Sequence, residues 1–279
     1  MCSIPVSAHT TIARLEALVC DLDGTLYLGE TPVPGAHEFL ERILASGRKL
    51  FYFTNNTSRS RDTYFKKLAG LGFPHSPEML ITATDCTLHY LQQHRLGPEI
   101  YLIGNRDLQA DFTAAGFRCL SPQQCRKVRP KAVVLGFDTE LDYEKIRNGY
   151  ALIQEDIPYI ATHADILCPV AGGQFIPDVG SFIALFARAT GGKEPVIMGK
   201  PTPHAVAAIS ARAGVPPRQI AFVGDRLYTD IRMAAQHGLY GILVLSGETN
   251  RAMLAVSPDQ PRLVVSSVAD LTNALIPLQ

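Results

Sequence analysis

The feature that most constrains the fold is a repeated alternation of short apolar runs with stretches of helical periodicity. Residues 17–20 and 50–53 are continuous apolar runs, as buried strands are. Between them, the stretch 35–46 places Phe39 and Ile43 at helical spacing. Strands that alternate with helices favour a doubly wound parallel sheet with right-handed crossovers. The pattern therefore predicts an α/β protein.

The alternation continues in a second series that begins near Leu96, and 279 residues are enough for two domains. Its strand-like runs are 99–104, 131–138 and 158–162. We expect loops over 116–130 and over Cys168–Ser181, a stretch rich in glycine and proline, and a closing helix over 268–276.

Polar side chains stand at the carboxyl ends of four strand-like runs. They are Asp21 with Asp23, Thr54 with Asn55, Lys200, and Asp225. If the four runs belong to one parallel sheet, their carboxyl ends lie at one edge, where open α/β sheets bind ligands. Taken singly, the first motif is also compatible with an acidic turn at Gly24 and the second with a helix N-cap. Together they predict one site.

The residue types at this predicted site are suited to phosphoryl transfer. Three carboxylates in one crevice need a cation, and oxygen ligands without histidine or cysteine favour Mg²⁺. Lys200 with the Thr54 and Asn55 donors suits an anion beside that metal. One carboxylate can attack phosphorus while a second transfers protons, and Asp21 and Asp23 divide those roles.

Four motifs in this order resemble those of the haloacid dehalogenase (HAD) superfamily. They are D-L-D-G-T-L-Y (21–27), T-N-N-T-S (54–58), G-K-P (199–201) and G-D-R-L-Y-T-D-I (224–231). The combination is similar to subfamily IIA, the NagD-like or 4-nitrophenyl phosphatase-type branch, and covers nearly the whole chain after the first dozen residues. The resemblance implies a Rossmann-like core and a phosphatase that uses Mg²⁺.

The resemblance also assigns roles to individual residues. It implies that Asp21 is the nucleophile and that Asp23 is the general acid and base, with Gly24 supporting their turn. The implied Mg²⁺ ligands are Asp21, Asp225 and the backbone carbonyl of Asp23. Asp230 positions the lysine or supports the metal. The implied phosphate-binding residues are Thr54, Asn55, Asn56 and Lys200, the last of which neutralises the transferred group.

Between the second and third motifs, the resemblance implies a mobile α/β cap of type C2. The domains are then predicted as core over 1–95, cap over 96–193 and core again over 194–279. Within this cap the sequence departs from the branch, because His163 stands where asparagine or aspartate is common and P-D-V-G (177–180) replaces P-G-x-G. Cys168 lies in the same region. These positions, with Asp178, leave the substrate open.

Composition limits partners and location. Lysine plus arginine equals aspartate plus glutamate at 26 each, so we expect neither nucleic acid nor a membrane surface as partner. The six cysteines form no C-x-x-C pair, and the N-terminus lacks the pattern of a secretory signal, so we expect a cytoplasmic protein. Caps of this branch often mediate dimers, which implies a possible homodimer.

The predicted function is Mg²⁺-dependent hydrolysis of a small organic phosphate monoester through an aspartyl-phosphate. The alternatives are a phosphotransferase and a non-catalytic binding or regulatory protein. An intact Asp23 argues against the latter, since a phosphate sensor needs no proton donor for a leaving group. Nucleotides, sugar phosphates, phosphoglycolate and pyridoxal phosphate all remain open as substrates.

Overall fold

A computed structural model of the chain describes residues 5–170 and 174–275. Cys2, Ile276 and residues 171–173 of the predicted loop therefore lie outside the described residues. The strands in chain order are β1 (Ala17–Asp21), β2 (Tyr27–Leu28), β3 (Thr31–Pro32), β4 (Lys49–Thr54), β5 (Leu80–Thr82), β6 (Glu99–Ile103), β7 (Arg118–Cys119), β8 (Val133–Leu135), β9 (Tyr159–Ala161), β10 (Leu167–Val170), β11 (Gln174–Pro177), β12 (Val196–Ile197), β13 (Ile220–Gly224), β14 (Tyr240–Val244) and β15 (Leu263–Val265).

The α-helices in chain order are α1 (Val6–Ile12), α2 (Ala36–Ala45), α3 (Arg61–Gly70), α4 (Ala83–Gln93), α5 (Arg106–Ala114), α6 (Pro122–Cys125), α7 (Tyr143–Gln154), α8 (Val179–Thr190), α9 (Pro203–Ala213), α10 (Arg232–His237) and α11 (Arg251–Val256). Leu227–Ile231 forms a π-helical turn ahead of α10. In the part of the chain that is described, no helix has both the length and the apolar character needed to span a bilayer.

The described residues form two compact units. Of the described residues, the first draws on 5–54, 65–81 and 206–275, and the second on 55–64, 82–170 and 174–205.

The first unit is organised around a six-stranded sheet in the order β15-β14-β13-β1-β4-β5. Strand β1 lies in its interior, parallel to β13 on one side and to β4 on the other. Ala17, Val19 and Cys20 are fully buried, because a strand between two parallel neighbours is covered on both faces. The predicted doubly wound α/β fold is confirmed.

The second unit contains a separate five-stranded parallel sheet in the order β12-β9-β8-β6-β7. Its apolar core includes Ile103, Leu135, Phe137 and Phe186, which come from two of the strands, the loop after β8 and helix α8. Strands β10 and β11 form an antiparallel hairpin outside this sheet.

The expectation that the strand before Lys200 joins the same sheet as β1, β4 and β13 is wrong. Strand β12 instead pairs with β9, with Val196 opposite Ile160 and Ile197 opposite Ala161. The pairing continues where the Gly199 N–H donates to Thr162 O at 2.7 Å. Helix α8 lies between β9 and β12 in sequence and provides the helical crossover that two parallel neighbours require. An apolar run alone does not reveal which sheet it joins.

Three further expectations are corrected by the structure. The loop expected over Cys168–Ser181 contains the hairpin β10–β11, and α8 already begins at Val179, where the Asp178 carboxylate accepts the Val179 N–H at 2.6 Å. The loop expected over 116–130 contains β7 and α6. The closing helix is a 3₁₀-helix over Val268–Ala274. Strands and helices this short lack the periodicity that identifies longer ones.

A half-buried acid of α5, Asp111, contacts the start of α3, and we expect its charge to lower the stability of the second unit near neutral pH. The Asp111 carboxylate accepts the Arg61 N–H at 3.1 and 3.2 Å. Burial, with help from Asp85 and Asp107, raises the pKa of Asp111 to about 6 although the Arg61 N–H opposes this. The pKa of Asp111 in the folded protein exceeds its ordinary value, so the folded state binds this proton more tightly than the unfolded state does. The resulting stabilisation is fully present at low pH and is lost as pH rises through about 6.

We therefore expect Asp111→Asn to raise the free energy of unfolding at pH 7.5. The amide keeps an acceptor for the Arg61 N–H and removes the half-buried charge, and we expect a gain of about 1 kcal/mol after allowing for partial solvent screening. At pH 4.5 the gain should be smaller. Urea unfolding at both pH values measures the gain, with Glu41→Gln, at an exposed position of α2, as control. An equal change at both pH values would contradict the assignment.

Candidate active site

The acids of the first unit come together because their strands are parallel neighbours. Strand β1 ends at Asp21, which lies opposite Phe53 in β4, and Thr54 closes β4. Strand β13 ends at Gly224, so Asp225 follows at the same edge. The sheet therefore places Asp21, Thr54 and Asp225 at adjacent strand ends.

Asp21, Asp225 and Asp230 form a carboxylate cluster in which one oxygen of each lies within 4.8 Å of the others. Asp225 is 2% exposed and Asp230 is fully buried. Buried carboxylates this close repel one another unless a cation lies among them. The all-oxygen donor set fits Mg²⁺, a hard ion that prefers carboxylate and carbonyl ligands. Asp23 has an exposed side chain and is not part of the cluster.

Two glycines leave space for the Asp225 carboxylate. Gly24 has φ +85°, a left-handed conformation that glycine adopts readily, and a Cβ there would collide with Asp225. Gly247, after β14, approaches the same carboxylate so closely that a Cβ would overlap it. A side chain at Gly24 would displace the Asp225 carboxylate, which gives a steric reason for the supporting role predicted for Gly24. Gly247 has the same steric relation to Asp225 and was not predicted from the sequence.

Hydrogen bonds fix the cluster's carboxylates in place. Asp225 accepts from Thr25 Oγ1 at 3.3 Å and from the Glu248 N–H at 2.7 Å. Asp230 accepts from the Arg226 N–H at 3.0 Å. These bonds hold the two carboxylates in place beside Asp21. The turn 246–248 was missed from sequence, although its position after a strand of the first sheet is a usable signal.

Cys20, which immediately precedes Asp21, does not act as a nucleophile. Its side chain is fully buried in β1, and burial, followed by the negative charge of Asp21, raises the pKa of the thiol far above its ordinary range. A neutral thiol is a poor nucleophile, so Cys20 serves as a small apolar side chain.

In the second unit, Asn55 and Lys200 are joined by a pair of hydrogen bonds. Asn55 Oδ1 accepts the Lys200 N–H at 2.9 Å, and Asn55 Nδ2 donates to Lys200 O at 3.1 Å. Both residues are buried, Asn55 at 5% and Lys200 at 3% exposure. The motifs T-N-N and G-K-P, 145 positions apart, are therefore directly bonded through one side-chain amide.

Asn56 shapes the turn that follows. Its Oδ1 accepts from the Ser58 N–H at 2.9 Å and from Ser58 Oγ at 2.8 Å, and its Nδ2 lies 3.7 Å from Cys168 Sγ. The helix N-cap is further along, where Ser60 Oγ accepts the Thr63 N–H at 3.3 Å. The simplest structural interpretation of the motif T-N-N-T-S was a helix N-cap. The motif does not cap α3, because Ser60 does.

Comparison with known sequences identifies the family. A haloacid dehalogenase-like hydrolase model matches residues 18–118, and a HAD-hydrolase-like model matches residues 197–271. Human chronophin is 31% identical over 95% of this chain and 94% of its own length. Human glycerol-3-phosphate phosphatase is 33% identical over 96% of this chain and 93% of its own. The chain belongs to the haloacid dehalogenase-like hydrolase family.

Solved structures agree with this placement. The 4-nitrophenylphosphatase from Thermotoga maritima matches with a TM-score of 0.89 and 35% identity, covering 95% of this chain and 99% of that one. A glycerol phosphate phosphatase from Mycobacterium tuberculosis, solved in complex with magnesium, matches with a TM-score of 0.82 and 28% identity over 93% of this chain and 77% of that one. The chain is a phosphoric monoester hydrolase of the HAD type, acting on small phosphorylated substrates.

Proposed function

We propose that this phosphatase works through an aspartyl-phosphate formed on Asp21, with Mg²⁺ as its cofactor. The observation that carries the proposal is the cluster of Asp21, Asp225 and Asp230 at the ends of parallel strands, whose oxygens suit a hard divalent ion. A carboxylate beside such an ion can approach an anionic phosphate, because the ion offsets the repulsion between them.

In this proposal Asp21, Asp225 and the backbone carbonyl of Asp23 hold the Mg²⁺, and Asp230 supports them. The ion supplies positive charge for the phosphate oxygens. Asp21 attacks phosphorus, and the Asp23 carboxyl gives a proton to the leaving oxygen. Asp23 then takes a proton from the water that hydrolyses the aspartyl-phosphate. The exposed side chain of Asp23, which lies outside the carboxylate cluster, is compatible with proton exchange.

Thr54, Asn55, Asn56 and Lys200 are the proposed phosphate-binding residues. Their support is the motif pattern, the position of Thr54 at the end of β4, and the bonds that fix Lys200 to Asn55. A lysine ammonium neutralises a phosphoryl group as a compact charge.

The finer assignments about partners and location are also proposals. Glycerol-3-phosphate and 4-nitrophenyl phosphate, which appear in the relatives' names, are the first substrates to try.

We propose residues 96–193 as a mobile cap that selects the substrate, with homodimerisation through it. A cytoplasmic location, with neither nucleic acid nor membrane as partner, is consistent with the lack of a disulfide among the five described cysteines and with the balanced charge.

The proposal predicts that release of 4-nitrophenol from 4-nitrophenyl phosphate requires Mg²⁺. Asp225→Asn should raise the Mg²⁺ concentration for half-maximal rate at least about tenfold, because it weakens a ligand. Asp259→Asn, which alters an acid paired with Arg232, is the control.

A rate unaffected by chelation would contradict the metal assignment. No turnover at any Mg²⁺ concentration would favour a binding protein. Phosphate recovered mainly on an added alcohol would indicate a phosphotransferase.

A further inference from the structure

Next to Lys200, the second unit contains a buried polar cluster that the proposed reaction does not use. It consists of His163, Asp165 and Asp178, which are 0%, 7% and 3% exposed. His163 Nδ1 lies 3.9 Å from Asp165 Oδ2, and His163 Nε2 lies 3.6 Å from Asp178 Oδ1. Two positions at which the sequence departs from the related branch, His163 and Asp178, are therefore neighbours in space.

The contacts of His163 indicate which imidazole nitrogen carries the proton in the neutral ring. His163 Nδ1 accepts the Asp165 N–H at 3.4 Å, so in the neutral ring the proton is on Nε2. Among the described residues, buried Nε2 has no hydrogen-bond partner at normal distance, and Asp178 Oδ1 is the acid beside it. That oxygen also accepts the Val179 N–H at 2.6 Å, so α8 holds it in place. The ring is thus bonded at Nδ1 and flanked by a carboxylate at Nε2.

A continuous chain of hydrogen bonds leads from this ring to Lys200. Asp165 Oδ1 accepts from Asn55 Nδ2 at 3.1 Å, and Asn55 in turn binds both the N–H and the carbonyl of Lys200. There is no room for a side chain at Gly199, because a Cβ there would lie 3.0 Å from His163 Cβ and 2.9 Å from Thr162 O. The backbone just before Lys200 therefore packs directly against the segment that carries His163.

We propose that His163, held between Asp165 and Asp178, is a positioning residue for Lys200. Asp178 places a negative charge beside the ring, the ring accepts the Asp165 N–H, and the Asp165 carboxylate orients the Asn55 amide that holds the lysine backbone. The inference depends on the proposed role of Lys200 in neutralising the phosphoryl group. It adds residues that act through that lysine, since an error of about 1 Å in a charged group can reduce a rate about 100-fold.

A metal site is the main competing reading of the cluster, since one ligand atom of each residue lies within 4.8 Å of the others. The two carboxylates, however, face different nitrogens of the ring. A histidine presents only one nitrogen to a given ion, while the other usually binds a neighbouring acceptor. The observed arrangement orients an imidazole better than it chelates an ion.

The test is a double-mutant cycle on kcat with 4-nitrophenyl phosphate at saturating Mg²⁺. His163→Leu replaces the imidazole and its two nitrogens by an apolar side chain of similar volume. It should lower kcat about 10- to 100-fold, with a smaller effect on KM. In a Lys200→Ala background the same change should add little, because the residue it acts through is gone. His163→Asn, which keeps an acceptor for the Asp165 N–H, should recover most of the rate.

Controls separate positioning from general damage. Tyr159→Phe alters a buried side chain of β9 and should leave kcat unchanged. Asp178→Asn keeps an oxygen for the Val179 N–H, so it tests the charge beside Nε2 even if His163→Leu folds poorly, and we expect a severalfold loss of kcat. Thermal unfolding of each variant reports its stability.

The outcomes are distinguishable. If Lys200→Ala leaves kcat unchanged, the proposed role of Lys200 is wrong, and this inference falls with it. If Lys200→Ala lowers kcat but the His163→Leu loss multiplies fully in the double variant, only the positioning role is refuted. A Zn²⁺ or Mn²⁺ ion bound stoichiometrically by the wild type and lost in His163→Leu would likewise overturn it, in favour of a metal site.

Discussion

Asp21→Asn is expected to lower kcat for any phosphate monoester by about 10⁴-fold or more. An amide does not attack phosphorus, so the covalent route is closed, and the amide is also a weaker ligand for Mg²⁺. Steady-state and single-turnover assays with 4-nitrophenyl phosphate, over a range of Mg²⁺ concentrations, separate loss of chemistry from loss of metal. The loss should persist at saturating Mg²⁺.

The fold should survive this substitution. Asp21 ends β1 within 4.8 Å of Asp225 and Asp230, and removing one of three neighbouring negative charges relieves repulsion. We expect the melting temperature of Asp21→Asn without metal to equal or exceed that of the wild type. A folded variant that retains kcat within tenfold of the wild type would show that Asp21 is not the nucleophile.

Asp23→Asn is expected to produce a burst of 4-nitrophenol, one equivalent per enzyme, followed by turnover about 10²- to 10⁴-fold slower than the wild type. 4-Nitrophenolate is a good leaving group and needs little help from a proton donor, so the first step continues. Hydrolysis of the aspartyl-phosphate still needs a base to take the proton of water, so the second step slows. Stopped-flow absorbance measures both phases.

The leaving group provides the check on this assignment. With an alkyl phosphate such as glycerol-3-phosphate, loss of the proton donor should slow the first step as well, and no burst of alcohol should appear. Equal losses on both substrates without a burst would mean that Asp23 does not transfer protons in the way proposed. Asp259→Asn should behave as wild type in both assays.

The fold of the first unit was predictable because its signals are local. The continuous apolar run before Asp21 indicates a strand covered on both faces, and Gly24 marks the turn after it. The helix predicted over 35–46 agrees with α2 to within one residue at each end. The acid cluster then follows from parallel pairing, which places neighbouring strand ends together.

The remaining features depend on contacts between distant positions. The run at Val196–Ile197 is as compatible with one sheet as with the other, and only its pairing with β9 decides. The sequence likewise does not indicate that Gly247 lies against Asp225, or that His163 lies beside Asp178. His163 and Asp178 were noted only as departures from a pattern. Their proximity gives these departures a common physical explanation.

The most direct test of the account is to identify the phosphorylated residue. Enzyme mixed with 4-nitrophenyl phosphate and Mg²⁺ is quenched in acid within the burst phase, digested and examined by mass spectrometry, with Asp23→Asn used to accumulate the intermediate. We predict one added phosphoryl group on the peptide that contains residues 18–27, located at Asp21 and absent from Asp21→Asn. A burst without protein-bound phosphate, or with phosphate on another residue, would contradict the account.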